Sequence, residues 1–163
     1  MRSASGHLLR TLAAVSPQSR VVIVGCGDGV HAEAIARLGF DVWACDADAR
    51  HVTATHARLG AVLGTEDADR RAVLSRLDAL GYPDGFADWI VLDAVPEAAH
   101  LVAVVAEAAR VLAPGAWLWT ETPDPEAFLT TTQAAGLMIA EAPASEPGRA
   151  GQHVIVRTPG GGA

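Results

Sequence analysis

Gly25-Cys26-Gly27-Asp28-Gly29 places three glycines on alternate positions of one short loop. Glycine lets a backbone turn sharply and approach a ligand with no Cβ in the way. The loop follows the β-branched run "VVIV" and opens a helix-forming stretch, whose free N–H groups then face whatever the loop holds. Asp46 stands 21 residues beyond Gly25. An acidic side chain at the carboxyl end of the next strand of such a unit reaches the two hydroxyls of a ribose. Read without a ligand, the same glycines make only a tight turn. Further candidates for chemistry are Asp93, which follows "WIVL", and the histidines His31 and His100. Asp93 could take a proton from a reacting group or simply cap a helix. His31 could face solvent or a cofactor edge, and His100 lies in a run whose apolar face is built by Leu101, Val104 and Val105.

The elements that must position these residues alternate along the chain. A lead-in helix is predicted over 5–15, with Leu8, Leu9, Leu12 and Ala13 at helical spacing. A strand over 21–24, a helix over 30–38 stopped by Gly39, and "DVWAC" ending at Asp46 make a βαβ unit. Asp48 can cap a helix over 48–59. "WIVLD", an amphipathic helix near 97–112 and "AWLWT" after the Pro114-Gly115 turn continue the alternation. Residues 65–80 are open to two readings, since Thr65 and the acids after it suit a helix start while "AVLSR" suits a short strand. "LMIAEA" and "HVIVR", separated by a Pro- and Gly-bearing loop, suit an antiparallel pair at a sheet edge. One domain over 1–163 is expected, with a lead-in at 1–19, a core at 20–158 and a frayed tail at 159–163.

Strand, glycine loop and acidic residue fit both nicotinamide dinucleotides and S-adenosylmethionine, because each presents an adenosine ribose. A dinucleotide fingerprint wants its third glycine at position 30, and Val30 is there instead. The G-x-G-x-G loop within "VVIVGCGDGVHAEAIARLGFDVWACDAD" resembles the first and acidic motifs of class I, Rossmann-like, S-adenosylmethionine-dependent methyltransferases. "SRLDAL", "GYPDGFADWIVLD", "EAARVLAPGAWLWT", "QAAGLMIAEA" and "QHVIVR" resemble that family's later segments in order, although Ala116 replaces a usual second glycine.

The resemblance spans residues 20–158 and favours a strand at "AVLSR". It implies an α/β fold: a doubly wound, mostly parallel seven-stranded sheet with an antiparallel last strand and helices on both faces. It implies S-adenosylmethionine as cofactor. Gly25, Gly27 and Gly29 would line its methionine part, with Cys26 contributing backbone. Asp46, with Ala47 beside it, would take the ribose hydroxyls; Asp78 would accept from the adenine amino group and Ala79 would supply a backbone contact. Without the resemblance, Asp78 reads as a solvated carboxylate.

Composition limits the chemistry further. All 12 basic residues are arginine, so lysine nucleophiles and Schiff bases are excluded. Nineteen acidic residues give a net charge of -7, which argues against capture of nucleic-acid phosphates and suits a small, neutral or cationic acceptor. Cys26 and Cys45 are too few for a disulfide framework, lack the spacing of a zinc site, and read as small buried residues. No metal is expected, no apolar run is long enough for a membrane span, and a cytoplasmic location is the default expectation.

Methyl transfer from a sulfonium needs mainly positioning and a dry approach, so a protein base is optional. "DAVPE" lacks the Asn- or Asp-Pro-Pro-aromatic motif of amino-group methyltransferases acting on bases or glutamine, which disfavours those substrates. Two other functions stay open on sequence alone: an S-adenosylmethionine-binding module without transfer activity, and an NAD-dependent enzyme. With few residues ahead of the first strand, the lead-in helix is expected to fold over the site or to pack into a homodimer.

Overall fold

The computed structural model describes residues 3–143 and 152–161. Among these residues, seven strands form one sheet: β1 (Arg20–Val24), β2 (Asp41–Asp46), β3 (Ala72–Leu74), β4 (Ala87–Leu92), β5 (Leu112–Thr122), β6 (Met138–Glu141) and β7 (Gln152–Arg157). Their spatial order is β3-β2-β1-β4-β5-β7-β6. The pairs β1–β2, β2–β3, β1–β4 and β4–β5 are parallel, and β7 runs antiparallel to both neighbours. This is the doubly wound sheet with a reversed last strand that the sequence implied. The chain leaves β1 outward through β2 and β3, then returns to lay β4 on the other side of β1. The crevice at the carboxyl ends of β1 and β4 is thus the topological switch point, where ligands bind in such sheets.

Among the described residues, six helices cover the two faces: α1 (Gly6–Ala13), α2 (Val30–Arg37), α3 (Ala49–Leu63), α4 (Thr65–Arg71), α5 (Ala98–Val111) and α6 (Pro125–Ala134). Successive strand residues point to opposite faces. Val22, Val24, Ile90, Leu92 and Leu118 therefore meet Leu101, Val104 and Val105 of α5 and Phe128 of α6. Val21, Ile23, Val91 and Trp119 meet Leu8 and Leu12 of α1, Ile35 of α2 and Leu59 of α3. Burial on both faces explains why the central strands read as continuous apolar runs.

Several boundaries differ from expectation. Both readings of residues 65–80 hold in succession, because α4 passes into the three-residue β3 with no glycine or proline between them. The fifth strand begins before the Pro-Gly turn, at Leu112. α6 was not expected; Asp124 caps it by accepting from Ala127 N–H, and Pro125 occupies its first turn. The tail starts anchored, since Pro159 C=O accepts from Gly115 N–H. Residues 162–163 of the expected frayed tail, and 144–151 of the loop before β7, lie outside the described residues.

Candidate cofactor and acceptor site

The glycine loop is pinned at both ends by backbone bonds. Gly25 and Cys26 N–H both donate to Cys45 C=O, and Gly29 N–H returns to Cys26 C=O. All three loop glycines have positive φ, at 74°, 54° and 80°. A Cβ on Gly25 would sit 2.5 Å from the Ala94 Cβ, and one on Gly29 would sit 2.7 Å from the Thr55 Cα. Glycine is thus required by the turn and by the close passage of the chain after β4 and of α3. Gly29→Ala should cost about 2–5 kcal/mol, combining the left-handed backbone penalty with the clash. Gly39→Ala, at φ 90° with open space around it, should cost only about 1–2 kcal/mol. Equal losses in chemical denaturation would remove the packing contribution.

Asp46, at the end of β2, is largely buried and already anchors this loop. Its Oδ2 accepts from Gly27 N–H at 3.0 Å and its Oδ1 from Asp48 N–H at 2.9 Å. The half-exposed His51 ring lies 3.2 Å from Oδ2. Thr55, fully buried, donates between the Cys26 sulfur and Gly27 C=O. Burial pushes the Cys26 thiol up to about 11 and the Cys45 thiol up to about 12. Both are neutral and packed, as small buried residues should be.

Beyond Asp46, a groove of about 270 Å³ is lined by Ala47, Leu77, Asp78, Pro96, His100 and Val104, with Arg76 at its edge. Asp78 is held there in a two-pronged pair with Arg76, at 2.9 and 2.7 Å, and the Arg76 hydrogen bonds hold its carboxyl below the usual range. Ala79 is not among the lining residues; its N–H donates to Arg76 C=O.

On the other side of the loop lies a cavity of about 520 Å³. Residues 3–6 form one wall, and His31, Asp93, Trp119, Glu121, Thr122 and Pro123 complete it. Asp93 follows β4, and its Oδ2 is 2.8 Å from His31 Nδ1 with both side chains almost fully buried. Ser5 N–H donates to His31 Nε2 at 3.0 Å. A backbone N–H can give its hydrogen only to an unprotonated nitrogen, so Nε2 carries the lone pair and Nδ1–H donates to Asp93. His31 therefore does not face solvent, one of the two orientations considered from sequence. Ser5, Trp119, Glu121 and Thr122 escaped the sequence reading; the position of the last three at the end of β5 was the available signal.

A pair of stacked histidines packs beside the cavity residues Trp119 and Glu121. His7 and His153 stack at 4.1 Å with planes 8° apart. Trp119 Nε1–H donates to His7 Nδ1 at 3.1 Å, and His7 Nε2 meets Glu141 at 3.0 Å. Glu121 lies 3.5 Å from His153. Burial, and then the facing His7 ring, lower the His153 pKa below its ordinary value, with Glu121 and Glu141 offsetting part of this. The unfolded chain thus holds this proton better, so stability from neutral His153 is full above the unfolded value of 6.5 and is lost as pH falls from there towards the lower folded value. His153→Gln should shrink the fall in melting temperature between about pH 7.5 and pH 5.5; an unchanged fall would show that the stacked pair has no linked proton. Among the described residues, no group of three or more His, Cys, Asp or Glu could hold a metal ion. No helix among them is long and apolar enough to cross a membrane.

With this geometry in place, residues 22–120 match the family described as methyltransferase domain. The chain belongs to that family, in its class I, S-adenosylmethionine-dependent form. Comparison with curated proteins gives no significant match. Among solved structures, the chain is similar to a SAM-dependent methyltransferase of Methanosarcina mazei (15% identity, TM-score 0.74, covering 98% of this chain and 100% of that one). It is similar to the cyclase SpnF (17%, TM-score 0.76, 95% and 81%). It is also similar to magnesium protoporphyrin IX methyltransferase of Synechocystis PCC 6803, solved with bound SAM (18%, TM-score 0.73, 93% and 76%). At these identities the likeness is one of fold.

Proposed function

We propose that this methyltransferase lays S-adenosylmethionine along the carboxyl edge of the sheet and transfers its methyl group to a small hydroxyl- or amine-bearing molecule held in the 520 Å³ cavity. The supporting observation is one of arrangement: the groove includes Ala47 beside Asp46, the cavity includes His31 just beyond Gly29, and Asp46 is bonded to the glycine loop between them. The residues suit the cofactor chemically. Asp46 offers carboxylate oxygens to the ribose, Ala47 and Asp78 flank the groove for adenine, and Ala79 sits one residue behind. Gly25, Cys26, Gly27 and Gly29 present close backbone to the methionine part. The cavity wall carries the carboxylates of Asp93 and Glu121 and no arginine among its described residues. That balance favours a neutral or cationic acceptor over a phosphate or carboxylate.

Calorimetry should show binding of S-adenosylmethionine and S-adenosylhomocysteine and none of NAD. Val30 opens α2 where a dinucleotide loop needs its third glycine. NAD binding as tight as that of S-adenosylhomocysteine would overturn this reading. The same fold also occurs in a protein described as a [4+2]-cyclase, so fold alone does not separate transfer from the second reading, a binding module without transfer. Release of S-adenosylhomocysteine in the presence of an amine and phenol mixture separates the two.

A further inference from the structure

We infer that His31 is the group that accepts the acceptor's proton, with Asp93 as its positioning residue and the Ser5 N–H as the internal stand-in for the acceptor's X–H. This rests on the methyltransferase reading above. His31 is the second residue of α2, directly beyond the glycine loop, and it lines the same cavity as Asp93. The two are 62 residues apart in sequence and meet only because β1 and β4 are neighbours. Asp93 receives Nδ1–H, which fixes the tautomer and turns the Nε2 lone pair towards residues 3–6, one wall of the cavity. An imidazole whose Nδ1–H is held by a buried carboxylate presents its Nε2 lone pair in a fixed direction, the arrangement a proton acceptor needs. Asp93 itself, already accepting from His31, is thereby a less direct proton acceptor than its place after β4 suggested.

The donor on Nε2 is the Ser5 main-chain amide. Ser5 has φ -63° and caps α1 through its side chain as well as donating its N–H to His31. An acceptor hydroxyl or amine entering the cavity replaces that N–H on the same lone pair. In the transfer, the X–H proton passes to Nε2 while the electron pair on X forms the X–CH3 bond. The pair of the broken S–CH3 bond stays on sulfur, so the positive charge of the sulfonium reappears on an imidazolium facing Asp93.

The test needs no known acceptor. Sinefungin carries an amine-bearing carbon in place of the methylsulfonium, and so places N–H donors where the methyl group would be, one atom away from Nε2, where a water in the acceptor's place relays their hydrogen bond to it. S-adenosylhomocysteine has nothing there. His31→Asn keeps a side-chain donor for Asp93 and deletes Nε2. It should weaken sinefungin by about 10-fold or more, the worth of one charged hydrogen bond, and leave S-adenosylhomocysteine within about 2-fold, a change too small to represent a lost hydrogen bond. Ser5→Pro removes the competing N–H and puts its ring Cδ on the former N–H···Nε2 line, which pushes residues 3–5 off the imidazole although the φ of -63° suits proline; Ser5→Ala removes only the capping hydroxyl. Sinefungin should gain on S-adenosylhomocysteine in Ser5→Pro and not in Ser5→Ala. An unchanged sinefungin to S-adenosylhomocysteine ratio in folded His31→Asn overturns the assignment. If that variant does not fold, equal ratios in the two Ser5 variants overturn it. Failure of wild-type protein to bind S-adenosylhomocysteine would instead sink the methyltransferase reading itself.

Discussion

Asp46→Ala is expected to weaken S-adenosylhomocysteine binding by roughly 10- to 150-fold, because a carboxylate taking two ribose hydroxyls contributes about 1.5–3 kcal/mol through charged hydrogen bonds. The structure adds a second effect. Asp46 already accepts the N–H groups of Gly27 and Asp48, so alanine leaves two loop donors without their partner. A carboxylate has about four acceptor positions. The contact with the half-exposed His51 ring is the one a ribose hydroxyl can replace at least cost. Asp46→Asn retains one oxygen but turns an NH2 towards an N–H, so it should lose most of the affinity too. His51→Ala, by contrast, should leave affinity unchanged or raise it. Calorimetry on protein shown to be folded decides the matter: undiminished affinity in Asp46→Ala would remove the ribose role.

The place of Asp46, at the end of β2 against the glycine loop, was legible in the sequence because everything that defines it is local. The strand, the loop, the helix and the second strand lie within 27 residues, from Arg20 to Asp46, and each has its own signal. The reversed strand β7 was also legible, through the order of the later segments. The His31–Asp93 pair was not. It depends on which strands become neighbours after a crossover, and neither residue carries a local sign of the other. α6 was missed because its body, "PEAFLTTTQA", holds three threonines that weaken helix propensity and buries only Phe128 and Thr132. Its start signal, Asp124-Pro125, was nonetheless present. β3 was obscured by its length of three residues and by the helix running straight into it.

The lead-in helix gives the largest expected effect on the whole molecule. From sequence it could equally cover the site or seat a partner; in the structure Leu8 and Leu12 are fully buried against Val21, Ile23 and Ile35 of their own chain. Little apolar face is left for a second subunit beyond the half-buried Leu9. Leu8→Ala or Leu12→Ala should each cost about 2–5 kcal/mol, or roughly 4–20 °C in melting temperature for a domain of this size. Against a total of about 5–15 kcal/mol, the double variant should sit near the unfolding threshold. Leu9→Ala should cost under about 1 kcal/mol, as expected for a side chain outside the core. Deleting residues 1–15 removes these anchors together with Ser5 and His7, uncovering one face of the sheet and opening the cavity beside Asp93. The truncated protein should therefore melt far lower and bind S-adenosylhomocysteine more weakly. A truncated protein that stays folded, keeps its association state in sedimentation and binds the cofactor unchanged would show that the helix neither completes the core nor walls the site.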